Sequence, residues 1–302
     1  MTTITLGRVW HLGSQLGRGG FGRVYLARSD DDVEAVVKLI PKAPGAQREL
    51  LFENVGDIPN VIPVIDKGEH KNYWALVMPR AEKSLRQHLA DSGGALAIDE
   101  VVPVLIDVAT ALAGLEAEVT HRDVKPDNVL LCQGNWCLAD FGIARYAEAT
   151  TASDTRKFLM TAAYAVPERW RNERATHASD VYSFGVMAYE LLAGQRPFPG
   201  PDRHDYMEQH LHRVAPPVPN CPVPLAGLIA ECLYKVAATR PPAARIVARL
   251  HNVAQPASPA VEQLQQANKL AVEAQARRDV GICGIIQGGA ARGVVTGCQA
   301  EL

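Results

Sequence analysis

His121-Arg122-Asp123-Val124-Lys125-Pro126-Asp127-Asn128 is the stretch that decides how this chain is read. The octamer packs a carboxylate, an ammonium group and a side-chain amide into one short loop. A carboxylate such as Asp123 can orient a hydroxyl and take its proton. An ammonium such as Lys125 can neutralise charge on a phosphoryl group in transfer. The amide oxygen of Asn128 is a hard donor of the kind Mg²⁺ prefers. A solvated polar loop has no need of all three at this spacing.

Working downstream, Asn128–Cys132 and Asn135–Ala139 read as a short hairpin around Gln133-Gly134. Directly after it comes Asp140-Phe141-Gly142, whose carboxylate can hold a second face of a metal site. Upstream lies Gly17-Arg18-Gly19-Gly20-Phe21-Gly22-Arg23-Val24. Glycines let backbone approach phosphates, and their exposed N–H groups can hold anions. The same spacing occurs in dinucleotide folds, where it joins a strand to a helix. Here strand-like sequence lies on both sides, at Trp10–Leu16 and Arg23–Arg28, so a hairpin lid is expected; a plain tight turn is the alternative. Lys38 sits inside the apolar strand Val33–Ile40. A lysine there is paired or holds an anion, or else it snorkels from an edge strand.

The rest of the chain sets bounds. Its 302 residues are 47% hydrophobic and 21% charged, enough apolar material for a core and too much for a disordered chain. A net charge of −2 argues against a general nucleic-acid binder. The first residues, MTTITLGRVW, do not read as a signal peptide. Val280–Cys298 is the nearest thing to a membrane span, but glycines, Gln287 and Arg292 interrupt it, so no span is expected. Six scattered cysteines form no CxxC pair, which suits free thiols in a reducing cytosol and a cytoplasmic protein.

Periodicity divides the chain into a small β-rich part and a larger helical part. Further strands are expected at Val61–Ile65 and Trp74–Met78, with a short helix at Gln47–Val55. After Pro79 the helical stretches are Leu85–Leu89, Asp99–Leu115 with Asp99 as N-cap, Ser179–Ala193, Leu225–Tyr234 and Ala243–His251. Ala260–Arg278 carries a weak helical stripe, and Val280–Leu302 is glycine-rich with no legible motif.

Taken in this order, the motifs resemble the signature of the protein kinases. Thr161-Ala162-Ala163-Tyr164-Ala165-Val166-Pro167-Glu168 resembles the end of the activation segment, with VPE where APE is usual. Asp180-Val181-Tyr182-Ser183-Phe184-Gly185 resembles the family's next helix, and Arg240-Pro241 the late arginine that pairs with Glu168. The resemblance covers residues 8–252 and is closest to bacterial Ser/Thr kinases of the eukaryotic-like type. It implies an α+β, two-lobed protein-kinase-like fold with a small, mostly β N-lobe (8–78), a hinge (79–84), a larger, mostly α C-lobe (85–252) and a C-terminal tail (253–302).

The resemblance also implies roles. ATP lies between the lobes under Gly17, Gly19 and Gly22, with Val24 and Val36 on one face of the adenine and Leu130 on the other. Met78 is the gatekeeper. Pro79 has no N–H, so hinge contacts fall to Arg80 and Ala81. Lys38 holds the α/β-phosphates, Asn128 and Asp140 bind Mg²⁺ (Mn²⁺ is the alternative ion), and Asp123 acts on the substrate hydroxyl. Lys125 and Thr161 point to Ser/Thr of a protein as acceptor. Glu49 is the favoured partner of Lys38, and Glu53, one helical turn on, remains open. Met160 stands where the family often has glycine. Arg122 pairs with an activation-segment phosphate, expected among Thr150, Thr151, Ser153 and Thr155. Asp180 and Arg240 are structural. A second copy of the chain is a candidate partner; nucleic acid is not. A pseudokinase scaffold would have lost Lys38, Asp123 or Asn128, and a small-molecule phosphotransferase generally lacks the Pro-Glu end and its arginine; all are present here.

Overall fold

Ala35, Val37 and Leu39 alternate with Val36, Lys38 and Ile40 along one strand, β4 (Glu34–Pro41). In the computed structural model, which describes residues 2–19, 22–42, 58–116, 119–140 and 162–255, this alternation sorts the two faces of a sheet. The first set joins Ile4, Trp10, Leu12, Ala27, Ala75 and Val77 in a buried core. The sheet has six antiparallel strands, in the order β1 (Thr2–Thr5), β2 (Val9–Gly19), β3 (Gly22–Ser29), β4, β6 (Tyr73–Pro79) and β5 (Asp66–His70). It begins at Thr2, upstream of the expected start at residue 8.

One expected strand is absent. Val61–Ile65 makes only a single parallel bridge, from Val61 to Leu138; Pro59 lies just before it and Pro63 interrupts it. Proline has no N–H to extend a ladder. The fifth strand is instead the polar stretch Asp66–His70, which pairs along one edge with β6. The expected helix at Gln47–Val55 lies outside the described residues, as do Ala260–Arg278 and the glycine-rich end.

The second part is helical. β7 (Lys83–Ser84) leads into α1 (Leu85–Asp91), where the Ser84 hydroxyl accepts the Gln87 N–H at 3.1 Å. α2 (Ile98–Leu115) is capped at Ala97 and not at the expected Asp99, which lies inside the first turn. Ala97 has no side-chain acceptor, and the Glu100 carboxylate reaches back to its N–H at 3.2 Å. β8 (Val129–Cys132) and β9 (Asn135–Leu138) form the expected hairpin and complete a three-stranded sheet with β7. Gln133 and Gly134 have φ of 53° and 79°, the left-handed pair that a two-residue hairpin turn demands.

α3 (Pro167–Trp170) is followed by α4 (His177–Ala193), buried all round from Ser179 to Leu191, as the central helix of a core must be. α5 (Arg203–His212), α6 (Val223–Cys232) and α7 (Ala243–Ala254) pack outside it. α5 was not expected from the sequence. It buries only Tyr206 and His210, and its clearest signal is the cap, where Asp202 accepts the N–H groups of His204 and Asp205. Among the described residues no helix is long and apolar enough to cross a membrane, and Cys132, Cys137, Cys221 and Cys232 are free thiols.

Candidate active site

The face of the six-stranded sheet turned away from its core carries the first half of the site. The register sets Lys38 opposite Val24 on β3 and Leu76 on β6, and sets Val36 opposite Leu26 and Met78. Val24, Val36, Lys38 and Met78 therefore share one face. Met78 packs with Leu130 of β8 against Ile62, Cys132, Cys137 and Ala139. Lys38 is only 4% exposed, and its Nζ donates to Asp140 Oδ1 at 2.9 Å. This joins the sheet to the end of the β8–β9 hairpin. Burial opposes ionisation of Asp140, but the Lys38 ammonium beside it holds the carboxyl below its ordinary range.

Two glycines of the stretch, Gly17 in β2 and Gly22 at the start of β3, differ in what they require. Gly22 has a φ of 140°, and a Cβ there would fall 2.3 Å from the Leu39 carbonyl oxygen. Its glycine is demanded by the sheet itself. Among the described residues, a Cβ at Gly17 would meet nothing within 4 Å. Packing against the described residues asks for no glycine there.

The second half is the loop that follows α2. Asp123 is 8% exposed and gathers its neighbours. Lys125 Nζ donates to Asp123 Oδ2 at 2.7 Å, and Asn128 Nδ2 donates to the Asp123 carbonyl and to Oδ2, both at 2.8 Å. Both N–H bonds of Asn128 face one residue, which leaves its Oδ1 as an acceptor. The Ala139 N–H donates to the Asn128 carbonyl at 2.8 Å, so Asn128 and Asp140 are tied together through backbone.

Two buried groups hold that loop. His121 is fully buried, and burial keeps its imidazole neutral by lowering its pKa. Its Nδ1 accepts the Asp123 N–H at 3.3 Å, so Nε2 carries the proton and donates to the Ala139 carbonyl at 2.9 Å. Asp180, on α4, accepts the N–H groups of His121 and Arg122, both at 2.7 Å. Burial pushes its carboxyl up to about 7, against the pull of those two bonds. Arg122 adopts a left-handed φ of 71°, which these bonds secure.

Further along, Arg240 grips Glu168 bidentately, Nη1 to Oε1 at 2.6 Å and Nη2 to Oε2 at 3.0 Å. Both side chains are buried, and the same guanidinium donates to the carbonyls of Ala178 and Tyr234. The Glu168 carboxyl is desolvated, yet Arg240 keeps its pKa below the ordinary value. In the hinge, Arg80 extends toward Glu34 at 3.6 Å and Ala81 lies beside it. Glu49, Glu53, Thr150, Thr151, Ser153, Thr155, Thr161 and Met160 lie outside the described residues; Gly19 ends β2.

Sequence reading passed over one cluster. Arg86 of α1 meets Asp127, Tyr164 and Glu190. Asp127 and Tyr164 stood inside quoted motifs, but Arg86 and Glu190 are ordinary helical residues with no local signal.

Comparison with known proteins places this geometry. The family model described as the protein kinase domain matches residues 10–251. The serine/threonine-protein kinase PkaB of Streptomyces coelicolor is 33% identical over 256 residues, which cover 79% of this chain and 61% of PkaB. The serine/threonine-protein kinase PrkC of Bacillus subtilis is 29% identical over 235 residues, 73% of this chain and 36% of PrkC. The serine/threonine-protein kinase PknL of Mycobacterium tuberculosis is 41% identical over 142 residues, 46% of this chain and 36% of PknL. The chain thus spans less than two thirds of the length of each of these relatives.

Proposed function

This chain belongs to the protein kinase family, and from that premise we propose that it transfers the γ-phosphoryl group of ATP to serine or threonine hydroxyls of a protein. The observation that carries the reading is the joint placement of Asp123, Lys125 and Asn128 in one hydrogen-bonded loop, with the Lys38–Asp140 pair tied to that loop through Ala139. A scaffold freed of catalysis has no reason to keep all five side chains in mutual contact or one bond away.

Lys38 supplies a desolvated positive charge for the α/β-phosphates. Asp123 accepts the hydrogen bond of the acceptor hydroxyl, and takes its proton as the bond from oxygen to the γ-phosphorus forms and the β–γ bridge breaks. Lys125, already bonded to Asp123, offsets the charge on the group in flight. Val24, Val36, Met78 and Leu130 supply apolar surface for the base, with Arg80 and Ala81 as hinge contacts. ADP and a phosphoester are the products.

The donors present fit a divalent ion, for which we propose Mg²⁺. Asn128 Oδ1 and the Asp140 carboxylate are hard oxygen donors, and they would hold it. Among the described residues no group of three or more His, Cys, Asp or Glu could hold a metal by itself. That suits an ion completed by nucleotide phosphates. When bound, the ion neutralises phosphate charge.

Glu49 is proposed as the partner of Lys38 in the active form, and Thr150, Thr151, Ser153 and Thr155 as the region of autophosphorylation. A cytoplasmic site is supported by the free thiols. Phosphoamino-acid analysis of a labelled acceptor protein tests the acceptor class. The reading predicts phosphoserine and phosphothreonine; label confined to phosphotyrosine, or to small molecules, would refute it.

A further inference from the structure

A cavity of about 390 Å³ lies beside Pro79, between the segment that precedes β5, the middle of α2 and the turn of the β8–β9 hairpin. Its volume falls within the range of small-molecule sites. None of the residues that line it is among those assigned above to ATP, to the metal or to the acceptor. The hairpin register pairs Cys132 with Asn135 and Leu130 with Cys137, so Cys132, Asn135 and Cys137 share one face. Cys132 and Cys137 are buried and form the floor, while Pro59, Gln133 and Asn135 are exposed at the rim.

The lining is rich in acceptors and poor in donors. Pro59, Pro63 and Pro79 form an apolar wall and bring no N–H. Asn60 spends its amide N–H groups within the chain, on the Trp136 carbonyl at 3.2 Å and on the Asp107 carboxylate. One N–H of Asn135 goes to the Gln133 carbonyl at 3.4 Å. Their side-chain oxygens remain as acceptors. Asp107 is the charged group of the lining, and its described partners are neutral: the Trp136 N–H, at 3.0 Å from Oδ2, and Asn60. Burial raises its pKa, since the carboxylate is half-desolvated with no opposite charge among those partners. Burial also pushes both thiols up, and the charged groups that add to it are carboxylates, Glu82 at Cys132 and Asp107 at Cys137. Geometry and charge therefore ask the same of an occupant: it donates hydrogen bonds and it is positive.

We propose that this cavity is a second ligand site, for a small organic amine whose ammonium group pairs with Asp107 and whose hydrocarbon part lies against the three prolines. The ammonium offers three donors to the Asp107 carboxylate and the amide oxygens near it, and it supplies the charge that this carboxylate lacks. Among the described residues no three His, Cys, Asp or Glu side chains converge as a metal site, which leaves an organic cation as the fitting class. Its ring or chain replaces water on the proline wall and above the two thiols.

The test compares 2-phenylethylamine with its neutral isostere 2-phenylethanol on the full chain. Calorimetry measures affinity, and peptide mass spectrometry follows modification of Cys137 by methyl methanethiosulfonate as a reporter of place. The amine is expected to bind saturably, about fivefold more tightly than the alcohol, the upper range for a partly exposed ion pair. It should slow modification of Cys137, and it should bind equally well with a non-hydrolysable ATP analogue present. Asp107→Asn keeps an acceptor for the Trp136 N–H and should bring the affinity of the amine down to that of the alcohol. Absence of saturable amine binding, equal affinity for amine and alcohol, an unprotected Cys137, or an amine preference that survives in folded Asp107→Asn each overturns the assignment. Displacement of the amine by the ATP analogue overturns it as well. Should Asp107→Asn not fold, the amine–alcohol comparison and the Cys137 rate on the wild type decide the matter. Amine binding of this kind in a chain that transfers no phosphate upholds the assignment and refutes only the kinase reading.

Discussion

Asp123 receives hydrogen bonds from Lys125 and Asn128 on the same oxygen, Oδ2, and is fixed in place before any substrate arrives. Its replacement by asparagine keeps the shape and removes the proton acceptor. The expected outcome for Asp123→Asn is a fall in kcat of about 10²–10⁴-fold with nucleotide affinity retained, checked by steady-state kinetics beside a fluorescent-nucleotide titration. Lys38→Met should differ by weakening nucleotide binding as well, because Lys38 is the buried cation on that face of the sheet. Asp123 was legible in the sequence because the chemistry fixes residue type and spacing within one loop, and Lys38 because a lysine inside an apolar strand is rare without a partner. Arg86 and Glu190 were not. They are 104 residues apart, and each alone is a common helix residue whose meaning arises only when the fold joins them.

At the scale of the element, the glycine-rich hairpin makes two opposite predictions. Gly22→Ala forces a Cβ into the Leu39 carbonyl at an unfavourable φ, so it should cost about 2–3 kcal/mol or more of stability in urea denaturation. Gly17→Ala meets no described atom within 4 Å, so stability should hold within about 0.5 kcal/mol while nucleotide affinity falls. Equal effects on stability would show that the two glycines do not divide between architecture and ligand access. The β2–β3 and β8–β9 hairpins could be read from glycine placement and flanking apolar residues. Asp66–His70 could not, because an edge strand paired on one side needs no apolar face. Val61–Ile65 misled for the converse reason. It has β-prone residues, but Pro63 at its middle and Pro59 just before it confine it to a single bridge.

For the molecule as a whole, the Glu168–Arg240 pair ties the end of the activation segment to the start of α4 and to the segment before α7. Arg240→Met leaves a buried carboxylate without its partner, so a loss of about 3–5 kcal/mol is expected by denaturation. Its pH dependence has a definite sign. The folded pKa of Glu168 lies below its ordinary 4.5, so the pair stabilises the fold above that value and loses its contribution as the pH falls through the folded pKa. In Arg240→Met burial alone acts on the Glu168 carboxyl and raises its pKa, so the Tm gap between wild type and variant should narrow as the pH falls, beginning above 4.5. A gap independent of pH would separate the loss from the ion pair. The order of the two lobes was legible because the motifs run along the chain in the order in which the fold uses them. The polar helix α5 was not, since it presents only Tyr206 and His210 to the core.

The central claim is that one site, built from Asp123, Lys125, Asn128, Lys38 and Asp140, carries phosphoryl transfer. It is tested most directly by Mg²⁺-dependent transfer of label from γ-labelled ATP to a generic basic acceptor protein, comparing wild type with Asp123→Asn and Lys38→Met. The account predicts label with the wild type and none above background with either variant, both variants being folded. Label that persists undiminished in folded Asp123→Asn would contradict it.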